Sequence, residues 1–256
     1  MLLVIDIGNT NLVFGVFDDD QLRHSWRVVT RRDQTFDEYA VLCRNLFELQ
    51  GLSHREVKGI AICSVVPPLN EAFELLAKKC FGLNPLFIES AKQDLMPVHY
   101  NPPSDVGADR IVSAVAAFEM VGGPAIVVDF GTATTFDAIS EKGEYLGGII
   151  APGIGISAEA LFQRAAKLPR IEIKKPPCVI GDSTVTSMQA GLYFGYVGLV
   201  DGILGRMKEE LGKSQVVATG GQARLVSSDS QQIDRVEEDL MLYGLRIFYR
   251  HLRKNS

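Results

Sequence analysis

The first residues able to do chemistry lie between Leu2 and Phe17. The apolar run Leu2 to Ile5 reads as a buried strand and ends on a single carboxylate, Asp6. A bare carboxylate at the end of a buried strand needs a partner, most simply a cation. Gly8 lets a ligand approach the backbone closely. Asn9, Thr10 and Asn11 then offer amide, hydroxyl and main-chain N–H groups before Leu12 to Phe17 returns as a second strand. Such a hairpin could hold phosphate and a metal ion. The other reading is an ordinary hairpin with an Asn-rich turn.

A second copy favours the ligand-binding reading. Ala125 to Gly147 again runs apolar strand, Asp-x-Gly, polar turn and strand, with Asp129 standing 123 residues after Asp6. At this fixed offset Val4 falls on Val127, Gly8 on Gly131 and Asn11 on Thr134. A repeat of about half the chain means two related domains, and two Asp-x-Gly hairpins could clamp a polyphosphate. A strand precedes Asp129, so it is not a helix cap. It is expected to bind a cation or orient another group. Thr132, Thr134 and Thr135 are candidate hydroxyl donors to phosphate or to a metal-bound water, or else ordinary strand threonines.

Between the copies stands Gly107-Ala108-Asp109-Arg110, after a polar, Pro-rich loop and at the start of an amphipathic helix. Asp109 is either the helix N-cap or a general base for a substrate hydroxyl. Arg110 could grip a carboxylate or phosphate with two parallel hydrogen bonds, or make a surface ion pair. Val216 to Gly221 is an apolar strand ending in a Gly pair, which suits the approach of a base and ribose to bare backbone. Of the four histidines, only His99, beside Tyr100, lies in a loop of functional character.

The elements that must carry these residues repeat in order. The first half reads as strands over 2–7, 12–17 and 21–29, a helix over 36–50, a strand over 59–66, a helix over 69–81 and a short strand over 86–88. A helix over 109–121 links the halves. The second half reads as strands over 125–129, 134–139 and 145–151, helices over 154–166 and 184–211, a strand over 215–219, a strand near 233–236 and a last helix over 237–253. Each half is βββαβαβ, and the expected domains are 1–118 and 119–256. Gly191, Gly195, Gly198, Gly202 and Gly205 share one face of the helix over 184–211. That face suits close packing inside the domain or, alternatively, a subunit interface.

Composition narrows the function classes. Hydrophobic residues make up 46% and charged residues 22%, enough for an ordinary globular core. The net charge of −5 lacks the basic footprint of a nucleic-acid partner. Cys43, Cys63, Cys80 and Cys178 form no CxxC pair or Cys/His cluster and read as reduced thiols of a cytoplasmic protein. No leader or membrane span is expected. Walker-type GxxxxGK[ST] and GxSxG motifs are missing, which disfavours P-loop and α/β-hydrolase chemistry.

Taken together, DIGNTN from Asp6, GADR at 107–110, DFGTATT at 129–135, GGIIAPG at 147–153, AAKLPRIE at 165–172, TVTSMQAG at 184–191 and TGG at 219–221 resemble type III pantothenate kinase. The resemblance spans nearly the whole chain in the family's order. It implies an α/β fold of two ribonuclease H-like, actin-like ATPase domains, each with a mixed central sheet flanked by helices. It also implies ATP-dependent phosphorylation of pantothenate to 4′-phosphopantothenate, the first step towards coenzyme A. By this resemblance Asp6, Ile7, Gly8, Asn9, Thr10, Asn11, Leu12 and Val13 form the first ATP motif, with Asp6 holding Mg²⁺ through water. Gly131 and Thr132 are the second ATP motif, and Gly220 and Gly221 the adenosine motif. Tyr100, Gly107, Ala108, Asp109 and Arg110 match the pantothenate site, with Asp109 the catalytic base and Arg110 facing the substrate carboxylate. Asp129 matches the ligand of a required potassium or ammonium ion. Thr184 matches a substrate contact supplied across a homodimer. Some relatives are described as transcriptional activators, so a catalytically silent regulator is the alternative from another class.

Overall fold

The structure is a computed structural model and describes residues 1–254. Its first unit comprises residues 1–96, 100–116 and the chain from Asp239 onward; its second comprises 97–99 and 117–238. In the first unit the chain forms β1 (Leu2–Ile7), β2 (Asn11–Asp18), β3 (Gln21–Val29), α1 (Phe36–Leu49), β4 (Gly59–Ser64), α2 (Asn70–Leu76) and β5 (Leu86–Phe87). The sheet order is β3-β2-β1-β4-β5. The three N-terminal strands are antiparallel, and β4 and β5 continue parallel to β1.

Alternation along the strands explains the two layers. Leu3, Ile5, Ile7, Leu12, Phe14 and Val16 point to one face and form a core with Tyr39, Cys43 and Phe47 of α1 and Phe73 and Leu76 of α2. Helix α1 begins at a reciprocal cap between Thr35 and Glu38. The opposite face carries Val4, Asp6, Val13, Gly15, Ala61 and Cys63.

The link helix is α3 (Ala108–Val121). The second unit then forms β6 (Ala125–Phe130), β7 (Ala133–Ile139), β8 (Tyr145–Pro152), α4 (Ile154–Arg164), α5 (Thr184–Leu211), β9 (Gln215–Gly220), α6 (Ala223–Ser227) and β10 (Arg235–Val236). Its sheet order, β10-β9-β6-β7-β8, repeats the first sheet strand for strand. Ile126, Val128, Phe130, Phe136 and Ala218 pack with Tyr196, Val200 and Leu204 of α5.

Three sequence expectations are corrected. The last helix, α7 (Leu240–Lys254), packs in the first unit, where Leu242 lies against Gly15 and Tyr243 lies edge-on to Phe17. Its buried face of Leu240, Leu242, Leu245 and Phe248 stabilises by about 1.5–3 kcal/mol per side chain. The turn of the second hairpin, Gly131 to Ala133, is one residue shorter than Gly8 to Asn11. Beyond the turn the fixed offset therefore slips, and Thr135 rather than Phe136 occupies the place of Val13. Finally, a Cβ at any glycine of the α5 face would meet nothing within 4 Å, so that face receives no close backbone packing among the described residues. Among the described residues no helix is long and apolar enough to cross a membrane.

Candidate active site

In the first unit, β1 delivers Asp6 between Val13 of β2 and Cys63 of β4. The following turn is closed by the Gly8 N–H donating to Asn11 O, 3.0 Å. A Cβ on Gly8 would stand 2.9 Å from that same oxygen, so the turn has no room for one. Two residues that sequence reasoning missed brace it. Thr30 Oγ1 donates to Gly8 O (2.7 Å), and the Thr30 N–H donates to Thr10 O (2.9 Å). Arg32 donates to Asn9 Oδ1 (2.8 Å). The only sequence signal was their place at the end of the third strand. Asn9 and Thr10 are exposed, whereas Ile7 and Leu12 point into the core and can offer a ligand only main-chain groups.

Asp109 is the second residue of α3, not its cap. Its Oδ1 accepts the Arg110 N–H at 2.9 Å. The carboxyl folds back over Gly107, where a Cβ would stand 2.3 Å from Oδ1. Burial pushes its pKa up, against the lowering effect of the Arg110 N–H and charge and of its own N–H. Arg110 itself is buried. The Cys63 thiol is pushed well up by burial first, then by the Asp6 and Asp109 carboxylates. Asp6 near the carboxyl end of β1 suits binding a cation, and Asp109 in the first turn of α3, with its raised pKa, suits accepting a proton. Tyr100 lies on the surface after Pro97 to His99; His99 pairs with Glu144 through Nε2 and Oε1 at 3.3 Å.

In the second unit, β6 delivers Asp129 opposite Thr135 of β7 and Thr219 of β9. Gly220 has φ +90° and lies against this site. A Cβ there would stand 2.4 Å from Asp129 Oδ1 and 2.7 Å from the Phe130 backbone. The cation candidate and the adenosine motif are thus in contact. Gly153, which precedes α4, packs on the Gly131–Thr132 carbonyls, so the start of α4 borders the second hairpin turn. Helix N-termini favour anions. Thr132 is exposed at that turn, and Gly221 is exposed after β9. Thr134 is corrected: it is fully buried, its hydroxyl bonds Tyr196 Oη, and it faces the α5 core. Thr184 is exposed at the first turn of α5, next to the Ser183 cap.

A family model described as type III pantothenate kinase matches residues 2–206. The chain belongs to the type III pantothenate kinase family. It is 54% identical over 267 residues to the "Type III pantothenate kinase" of Koribacter versatilis, covering 100% of this chain and 97% of that relative. Solved structures resemble it in fold. A Campylobacter jejuni protein described as a Baf family transcriptional activator has a TM-score of 0.62 at 19% identity, with 98% of this chain and 99% of that one covered. MreB 5 of Spiroplasma citri bound to AMPPNP has a TM-score of 0.51 at 11% identity, with 99% and 97% covered. At such identities the likeness carries the two-domain actin-like fold and nothing further. Type III pantothenate kinase membership rests on the sequence match, and the actin-like fold agrees with the duplicated strand order.

Proposed function

We propose that this chain transfers the γ-phosphoryl group of ATP to the terminal hydroxyl of pantothenate, giving 4′-phosphopantothenate, with Asp109 as the general base. The observation that carries the reading is the Asp109 carboxyl at the start of α3, held over Gly107 with its Oδ1 on the Arg110 N–H and its pKa raised by burial. A carboxylate with a raised pKa accepts a hydroxyl proton more readily at neutral pH. Arg110, next to it and buried, pairs with the substrate carboxylate. Tyr100 and Gly107 to Arg110 complete the pantothenate contacts.

Asp6 and the turn Gly8 to Asn11 contact the ATP phosphates, as do Gly131 and Thr132; Gly220 and Gly221 receive the adenosine. The donor set fits hard cations, because Asp6 and Asp129 are oxygen ligands at strand ends. Asp6 would hold Mg²⁺ through water, and Asp129 a potassium or ammonium ion. These cations neutralise charge on the phosphates, which is most of what phosphoryl transfer requires.

Thr184 contributes to the substrate site of a partner subunit in a homodimer. The open glycine face of α5 and the exposed Ile149, Ile150, Ile156 and Val185 support that assembly. The acidic balance speaks against a nucleic-acid partner, and the four scattered cysteines suit a cytoplasmic enzyme. No specific observation favours the regulatory alternative. Calorimetry with pantothenate and with pantothenol, its analogue lacking the carboxylate, tests the substrate assignment. Pantothenate should bind the wild type and lose affinity in Arg110→Ala. Equal binding of the two compounds to the wild type would contradict the Arg110 role.

A further inference from the structure

Beside Asp129 the second sheet buries polar residues that the first sheet does without. Asp129 stands across from Thr135, and Val127 across from Asp137, so Asp129, Thr135 and Asp137 share one sheet face. Asp137 and Tyr145 are 1% and 0% exposed. Thr135 Oγ1 donates to Asp137 Oδ2 at 3.3 Å, and Tyr145 Oη donates to Asp137 Oδ1 at 2.7 Å. In the first sheet the residues across from Asp6 and Val4 are Val13 and Gly15. The same sheet position is therefore filled once by apolar residues and once by a buried carboxylate. Burying a carboxylate costs several kcal/mol before its hydrogen bonds are counted, a cost the first sheet avoids at this position.

The hydrogen-bond directions suggest a use. A threonine hydroxyl has one proton and two lone pairs. With its proton given to Asp137, the Thr135 oxygen keeps its lone pairs for an electropositive ligand, and its cross-strand neighbour is Asp129. We propose that Thr135 Oγ1 is a second ligand of the monovalent cation held at Asp129, and that Asp137 is the positioning residue that fixes the hydroxyl in this orientation. The proposal rests on the reading of Asp129 given above. A potassium ion would take the lone pair as a ligand, and an ammonium ion would donate a hydrogen bond to it.

The test is thermal melting of the full-length protein over a KCl series at constant ionic strength, with and without a non-hydrolysable ATP analogue. Wild-type protein should gain melting temperature with potassium, and Asp129→Ala should not. Thr135→Val copies the Val13 of the first sheet and should fold. It should raise the half-effect potassium concentration about 10-fold. Thr135→Ser should restore it. Asp137→Asn keeps one oxygen acceptor for two hydroxyl donors and should raise it similarly. A Thr135→Val titration identical to wild type would overturn the proposal while leaving Asp129 as the cation ligand. So would an Asp137→Asn protein that melts earlier with an unchanged potassium dependence. A wild type with no potassium response would overturn the Asp129 reading and this proposal together.

Discussion

The Asp109 carboxylate lies directly over Gly107, so close that a methyl group at Gly107 would stand 2.3 Å from Oδ1. The glycine two residues before Asp109 is thus part of the device that places its carboxylate. Gly107→Ala should push the carboxylate aside while α3 still forms. A displacement of about 1 Å costs on the order of 100-fold in rate. Steady-state kinetics should show kcat falling by about that factor, with a far-ultraviolet circular dichroism spectrum like wild type. Wild-type kcat in this variant would show that the base does not need the bare glycine.

Asp109→Asn separates catalysis from stability. Turnover should fall by at least about 100-fold, the lower range for loss of a general base. Stability should move the other way at neutral pH. The folded protein disfavours the charged form, because burial raises the Asp109 pKa above 3.8. Folding stability is therefore lost as pH rises from the unfolded value through the folded one, and the loss is complete above it. The Asn variant should melt higher than wild type at pH 7, with the difference vanishing towards pH 3.8. Equal melting temperatures at pH 7 would contradict the burial of this carboxyl.

Gly220→Ala tests the contact between the Gly pair and Asp129. The residue has φ +90°, and an added Cβ meets both the Asp129 carboxylate and the Phe130 backbone. The left-handed backbone alone costs roughly 1–2 kcal/mol for a residue with a side chain. Melting should fall accordingly, and affinity for an ATP analogue should weaken. Unchanged analogue binding would remove Gly220 from the adenosine site.

The thiols should react in order of exposure. Cys178 is exposed, Cys80 is partly covered, and Cys43 and Cys63 are buried. Burial also pushes the Cys43 pKa up to about 12, so the unreactive thiol form prevails there. Alkylation at pH 8 followed by peptide mass mapping should label Cys178 first, and Cys43 and Cys63 only after unfolding. Early labelling of Cys63 would mean that the strand position beside Asp6 is open to reagent.

Much of this was legible in the sequence because the chain repeats itself. Asp6 and Asp129 end equivalent strands, and the alternation around them fixed which neighbours face the core. What escaped depended on registers and on packing. The second turn is one residue shorter, a change invisible at a fixed offset, so Thr134 looked like a phosphate donor although it points at Tyr196. Helix α7 follows the second half in the chain, yet its apolar face lies against Gly15 and Phe17 of the first unit. The glycine spacing of α5 showed a face but not what covers it. Thr30 and Arg32 carried no motif, since bracing a turn requires only that a neighbouring strand end beside it.

The most direct measurement is ADP release from MgATP with and without pantothenate, in potassium and in sodium buffer, for wild type and Asp109→Asn, with the product mass determined. The account predicts release that needs pantothenate and potassium, a product heavier than pantothenate by one phosphoryl group, and near silence from Asp109→Asn. Release without pantothenate, or full turnover by Asp109→Asn, would contradict it.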